Sequence, residues 1–306
     1  MSDPAHVGAA VLRPSSQVGL TQGRRYVTAT FAALDYVFDV HSDDADIGSY
    51  LDRVLGGLVS DRPAEHRYDI ADRGPDSTTT YRYTLYLDGD ELDAYSFLEP
   101  VARRLISNMN MEATQSVIDT HMVLHAAGCT YGHTTIALPA PTESGKTTTV
   151  AGMVQAGFGY LTDEALAVDF DTLVARAYPK PLSVDPGSWP VLAGLKPADS
   201  ADHAFCERQW QVPPDRVRPG AVTVGSRPLI FIRPQYSAGH RTELRPVSPA
   251  RMLYHLAQCT FGFRDNPARY LEIGRRLCAG ASCYELTIGD LGEAAGLIAA
   301  ACSGKG

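Results

Sequence analysis

The chain has little of what would assign it quickly. Its six cysteines (Cys129, Cys206, Cys259, Cys278, Cys283 and Cys302) form no C-x-x-C pair. That spacing argues against structural zinc and reads as reduced thiols packed in a cytosolic protein. Positive charge is in deficit, with 27 Lys and Arg against 35 Asp and Glu, a balance of −8. Neutralising a phosphate backbone takes clustered cations, so no nucleic-acid partner is expected. No apolar run approaches the ~20 residues that span a bilayer, so no membrane partner is expected either. Met1 to Val11 lacks a basic stretch followed by an apolar one, which reads as no secretory signal and a cytoplasmic protein. No G-x-G-x-x-G opens a helix, no G-x-S-x-G occurs, and the H-R-D and D-F-G pair is missing. Those absences disfavour a dinucleotide fold, the commonest hydrolase elbow and the eukaryotic-type kinase.

What remains is an ordered globular chain: 44 % apolar and 20 % charged residues lie outside the disordered range. Its 306 residues are enough for two domains and for a core that needs no metal or disulfide. The texture changes near residue 113, which suggests an α+β domain over 1–112 and an α/β domain over 113–306. In the first, Tyr26–Thr30 and Tyr36–Val40 read as strands and Ile47–Leu58 as a helix. Arg62–Thr80 reads as an exposed loop, and Tyr81–Leu87 with Asp88-Gly89-Asp90 as a hairpin. A helical pattern runs from Leu98 to about Met122. In the second, strands are expected at Met122–Gly128, Thr134–Leu138, Tyr160–Leu161, Ala165–Phe170, Leu173–Ala177, Pro228–Ile232 and Ser282–Ile288. Helices are expected after Lys146 and over Pro249–Gln258, Pro267–Leu277 and Leu291–Ala301. Lys196–Gly220, rich in Pro, Asp and Arg, reads as a lid or insertion.

The chemistry concentrates where a strand, a loop and a helix meet. Pro139-Ala140-Pro141-Thr142-Glu143-Ser144-Gly145-Lys146-Thr147-Thr148 separates an apolar strand from a helix. A phosphate-binding loop needs inward backbone N–H groups, a lysine for the β/γ-phosphates and a hydroxyl for Mg²⁺ at the helix start. Thr142, Glu143, Ser144, Gly145, Lys146, Thr147 and Thr148 are therefore candidate nucleotide contacts. Ala140 stands where the usual pattern has glycine, and Pro141 has no N–H to give. The plainer alternative is a surface loop that happens to hold Gly-Lys-Thr.

Further on, Asp163-Glu164 ends a short apolar strand, a pattern suited to holding Mg²⁺ and accepting a proton. A strand-end turn is the ordinary alternative. His125 interrupts an apolar strand and would tune an acid near the phosphates or sit satisfied in the core. Lys180, between Pro179 and Pro181, would contact phosphate or be a solvated loop lysine. Arg233, ending a core strand, would clamp phosphate or make a surface ion pair.

Taken in order, Leu124-His125-Ala126-Ala127-Gly128, the Gly-Lys-Thr loop, Gly157-Phe158-Gly159-Tyr160-Leu161-Thr162-Asp163-Glu164 and Tyr178-Pro179-Lys180-Pro181-Leu182 resemble the HPr kinase/phosphorylase-related kinases. That group includes kinases that phosphorylate a serine of lasso-peptide precursors. The resemblance covers roughly 113–302 and is most specific over 124–182. It implies a phosphoenolpyruvate-carboxykinase-like version of the P-loop fold, ATP and Mg²⁺ as cofactors, and phosphoryl transfer to a hydroxyl. It further implies Lys146 as the phosphate lysine, Thr147 as the Mg²⁺ hydroxyl, Asp163 and Glu164 as the acidic pair, and His125 as the strand histidine. Glu164 stands where the bifunctional enzymes carry Asp, and no clear Glu-x-Arg-Gly counterpart is found, so phosphorolysis is not expected.

The leading expectation is thus an ATP-dependent kinase of Ser or Thr hydroxyls in a protein or peptide. Lys146 would bind phosphate, Asp163 would take the alcohol proton and Glu164 the metal, with those two roles exchangeable. A non-catalytic ATP-binding regulatory module and a kinase of small-molecule alcohols stay open as alternatives, as does a homo-oligomer.

Overall fold

The computed structural model describes residues 25–74 and 80–304; Met1–Val11 lies outside them. The N-terminal sheet is built from β1 (Tyr26–Val27), β2 (Phe31–Ala33), β3 (Tyr36–Ser42), β4 (His66–Asp72), β5 (Tyr83–Leu87) and β6 (Asp90–Tyr95). Helix α1 (Ala45–Val54) starts where the Asp44 side chain accepts from the backbone N–H groups of Asp46 and Ile47, an N-cap that meets two otherwise orphaned donors. Its Ile47, Tyr50, Leu51 and Val54 recur at helical spacing and are buried. The β5–β6 hairpin turns on Asp88 and Gly89, both at positive φ (51° and 93°), the conformation an Asp-Gly pair favours.

Strand β4 corrects the expectation of an exposed loop over 62–80. It lies inside the sheet, parallel to β3 and antiparallel to β5, with Tyr68 and Ile70 fully buried. Its polar residues hid the alternation because they are engaged in ion pairs. Asp69 takes Arg25 at 2.8 Å and Arg67 at 3.0 Å, and Asp72 takes Arg82 at 2.7 Å.

Helix α2 (Leu98–Val117) stops short of Met122, which belongs to the following strand. It runs through positions 112 and 113 without a break. Its Val101, Leu105 and Met109 join one buried cluster that reaches from Phe31 and Phe38 of the first sheet to Val150 and Ile298 near the second.

The second sheet contains β7 (His121–Tyr131), β8 (Thr134–Pro139), β9 (Gly159–Thr162), β10 (Ala165–Asp169) and β11 (Ala175–Arg176). A two-stranded ribbon, β12 (Leu182–Val184) with β13 (Trp210–Val212), stands apart from it, and a short helix α4 (Pro214–Val217) follows. The sheet is completed by β14 (Pro228–Tyr236), β15 (Glu243–Pro246) and β16 (Ser282–Ile288), in the order β11-β10-β7-β8-β14-β16-β15 with β9 on β7. Strands β8, β14 and β16 are parallel, and β10 runs in their direction, whereas β7, between β8 and β10, runs against them. Helices α3 (Lys146–Gln155) and α7 (Leu291–Ser303) cover one face, and α5 (Pro249–Cys259) and α6 (Pro267–Cys278) cover the other. Ile230 and Ile232 of β14 pack toward the first pair while Phe231 packs toward the second. A central strand buried on both sides reads as a continuous apolar run for this reason. The result is a layered, mixed α/β architecture.

The stretch 196–220, expected as a lid or insertion, is docked against the rest of the chain. Phe205 stacks on Tyr50 of α1 and Trp210 on Trp189, with ring centroids 4.4 and 4.8 Å apart. Among the described residues, no helix is long and apolar enough to cross a membrane.

Candidate functional site

The carboxyl ends of β8, β14 and β16 meet at one edge of the sheet, where ligands of open α/β sheets characteristically bind. Beside that edge lies a cleft of about 1540 Å³. Its floor is the loop after β8. Gly145 adopts φ +88° as the residue before α3, a conformation that suits glycine. Glu143 is held at φ +64°, a strained setting for a residue with a Cβ. The first turn of α3 has no side-chain cap, so its N–H groups stay free for an anion at the positive end of the helix dipole. The Ser144 hydroxyl is buried within the loop, without a hydrogen-bond partner among the described residues.

Lys146 is buried, and its ammonium donates to the carbonyls of Ala140 and Pro141, both at 2.8 Å, and to His125 Nε2 at 3.0 Å. Burial lowers its pKa against the opposing pull of Glu164. An ammonium that donates to Nε2 leaves the His125 proton on Nδ1, and Nδ1 stands 3.4 Å from Glu164 Oε1. Thr142 Oγ1 lies 3.4 Å from the same Nε2. Phe261 approaches the imidazole edge-on, with centroids 5.9 Å apart.

The two acids occupy different environments. Asp163 is fully used: Thr147 Oγ1 donates to its Oδ2 at 3.0 Å, with the Ser183 N–H at 3.3 Å. Its Oδ1 takes the Tyr160 hydroxyl at 3.0 Å and the Lys180 ammonium at 2.7 Å. Both side chains of the Lys180–Asp163 pair have 0 % exposure. Glu164 keeps 35 % of its side chain exposed on the cleft. Burial pushes its carboxyl up, but the hydrogen bond from His125 and the charges of Lys180 and Lys146 outweigh that and hold it at about 2.

The candidate residues therefore divide. Thr142, Glu143, Gly145, Lys146, Thr147, Thr148, His125, Asp163 and Glu164 all line the cleft. Thr148 is also tied to Ser188 through their hydroxyls at 2.5 Å. Lys180 is neither a solvated lysine nor part of the cleft lining; it is spent on Asp163 and on the Pro181 carbonyl at 2.9 Å. Ser144, buried within the loop, and Arg233, opposite Glu285 in the β14–β16 ladder, are not among the lining residues.

Sequence reasoning missed Tyr160 and Tyr178. Both are wholly buried, and each places its hydroxyl on a polar group of this region. It also missed α2, whose polar face forms a wall of the cleft. His121 and His125 share an H-x-x-x-H spacing, but both lie on β7, where four residues of strand separate them by about 13 Å. Among the described residues, no group of three or more His, Cys, Asp or Glu could hold a metal on its own. Magnesium at Thr147 and the acids would thus depend on phosphate oxygens and water to complete its shell, as Mg²⁺ usually does. No protein-family model matches this chain, and no curated protein matches it.

Proposed function

We propose that the chain is an ATP-dependent kinase that transfers a phosphoryl group to a hydroxyl of Ser or Thr in a peptide or protein, on a P-loop fold of the phosphoenolpyruvate-carboxykinase-like kind. The observation that carries this reading is the 3.0 Å hydrogen bond from Thr147, in the first turn of α3, to Asp163 at the end of β9, with Lys146 in the mouth of the same loop. A hydroxyl and a carboxylate set together beside a helix N-terminus are groups that would hold a divalent cation next to a bound polyphosphate. The uncapped N–H groups and the left-handed Gly145 fit a polyphosphate in the loop. Bound ATP supplies the phosphoryl group, and Mg²⁺ neutralises its charge.

The chain's own residues then divide the work. Lys146 and the loop amides gather the charge that spreads over the transferring group. Asp163, with both oxygens engaged, acts by position: it fixes Thr147 and the cation side of the site. Glu164 is the acid an acceptor can reach, so it orients the acceptor hydroxyl and takes its proton, while His125 holds the carboxylate in place. This exchanges the roles first expected of the two acids. A carboxylate held at about 2 is a weak base, which suits a loose transition state where positioning and electrostatics carry most of the catalysis.

Calorimetric titration with Mg-ATP, followed by phosphate transfer to hydroxyl acceptors, tests the proposal. Wild-type chain should bind and transfer, and Lys146→Ala should lose transfer while its thermal unfolding survives. Absence of binding heat would overturn the reading. Heat without transfer to any hydroxyl would leave a regulatory nucleotide-binding module.

A further inference from the structure

We infer that α2 is the acceptor wall of the cleft and that the acceptor lies along it as an extended peptide; this rests on the kinase reading above. In-line transfer sets the acceptor hydroxyl and the departing diphosphate on opposite sides of the phosphoryl group. Along the strand edge, Asp163 and Glu164 stand on the β7–β10 side of the loop, the side on which α2 packs. Tyr236 and Asp290, at the ends of β14 and β16, stand on the other. The nucleoside therefore extends toward Tyr236, and the acceptor enters from α2.

The wall has the length and chemistry of a peptide site. Its cleft-facing stripe runs from Arg103 to Ile118 at spacings of three and four residues, about 22 Å of helix at 1.5 Å per residue. An extended peptide covers that length with about seven residues, whereas a sugar or free amino acid would leave most of it bare. Between the ends lie Ser107, Asn110, Met111 and Gln115, uncharged groups that suit main-chain amides and varied side chains. Met111 is 58 % exposed. Asn110 is fixed in advance: the Tyr178 hydroxyl donates to its Oδ1 at 2.6 Å, which leaves its amide N–H groups as donors for a peptide carbonyl. Tyr178 lies two residues before Lys180, so one backbone segment references both this donor and the acid pair.

The test uses the full chain, Mg-ATP and three acceptor probes: a pool of heptapeptides with a central serine and the other positions randomised, free serine, and glycerol. The pool should take up phosphate in preference to the free alcohols. Gln115→Ala combined with Met111→Ala should lower kcat/KM for the pool about tenfold with Mg-ATP affinity unchanged by calorimetry. Tyr178→Phe, which releases Asn110, should raise KM for the pool more than it lowers kcat. Pool phosphorylation indifferent to these variants, or free alcohols consumed in its place, would overturn the inference. Binding of Mg-ATP with no uptake by the pool would overturn it as well. Loss of Mg-ATP binding in the unmodified chain would instead remove the kinase reading itself.

Discussion

The two sheets handle buried charge in opposite ways. In the N-terminal sheet, Asp69, Asp72 and Asp88 meet Arg25, Arg67, Arg82 and His66 at partly exposed sites, where water can replace either partner. In the C-terminal sheet, Lys180 and Asp163 meet with no exposure at all. The first arrangement lets a polar strand such as β4 sit inside a sheet at small net cost. The second commits the fold to keeping both charges, because either one alone would be stranded in a dry interior.

Removing one partner of the dry pair is the sharpest way to break this contrast. Lys180→Met should destabilise the chain by about 3–5 kcal/mol in denaturant unfolding, and adding Asp163→Asn should recover part of the loss. If Lys180→Met cost no more than a surface change, the contrast between the sheets would fail. Next in size is Lys146→Ala, expected to lower phosphate transfer by about 10²–10³-fold. Stability should hardly change there, because the ammonium lost is replaced at the loop carbonyls by water from the cleft.

Acid sharpens the comparison further. The Glu164 carboxyl titrates at about 2 in the folded chain, below its ordinary 4.5. A depressed folded-state pKa gives stability that is present above about 4.5 and lost as pH falls toward 2. Asp72 is also lowered, by the Arg82 hydrogen bond against a burial cost, and has the same sign. Glu164→Gln should therefore flatten the acid limb of a stability-against-pH curve more than Asp72→Asn does. The smallest effect expected is that of Arg82→Ala, which removes a partly exposed ion pair and should move the unfolding free energy by no more than about 1 kcal/mol.

Much of the C-terminal sheet was legible because its central strands are apolar on both faces and helices α5, α6 and α7 open on Pro or Asp. Gly145-Lys146-Thr147 between strand and helix marked the cleft floor for the same reason: three residue types with different physical tasks in one order. Strand β4 was not legible, because Arg67, Asp69 and Asp72 are polar residues whose partners come from distant positions 25 and 82. The fate of Lys180 was hidden in the same way. Two flanking prolines show that its backbone is stiff but not that a buried carboxylate waits for its ammonium. Periodicity identified the apolar face of α2, while the neighbour of its polar face is set by how the two sheets pack.

One consequence follows from α2 for anyone who would trim this molecule. The helix leaves the first sheet, shares its core and then borders the cleft. Excising everything before the second sheet would take away a side of the cleft and expose the contacts of Val101, Leu105 and Met109 on what remained. A minimal fragment that keeps the cleft whole therefore has to begin upstream of this helix, and domain-swap chimeras should be cut elsewhere than at residue 112.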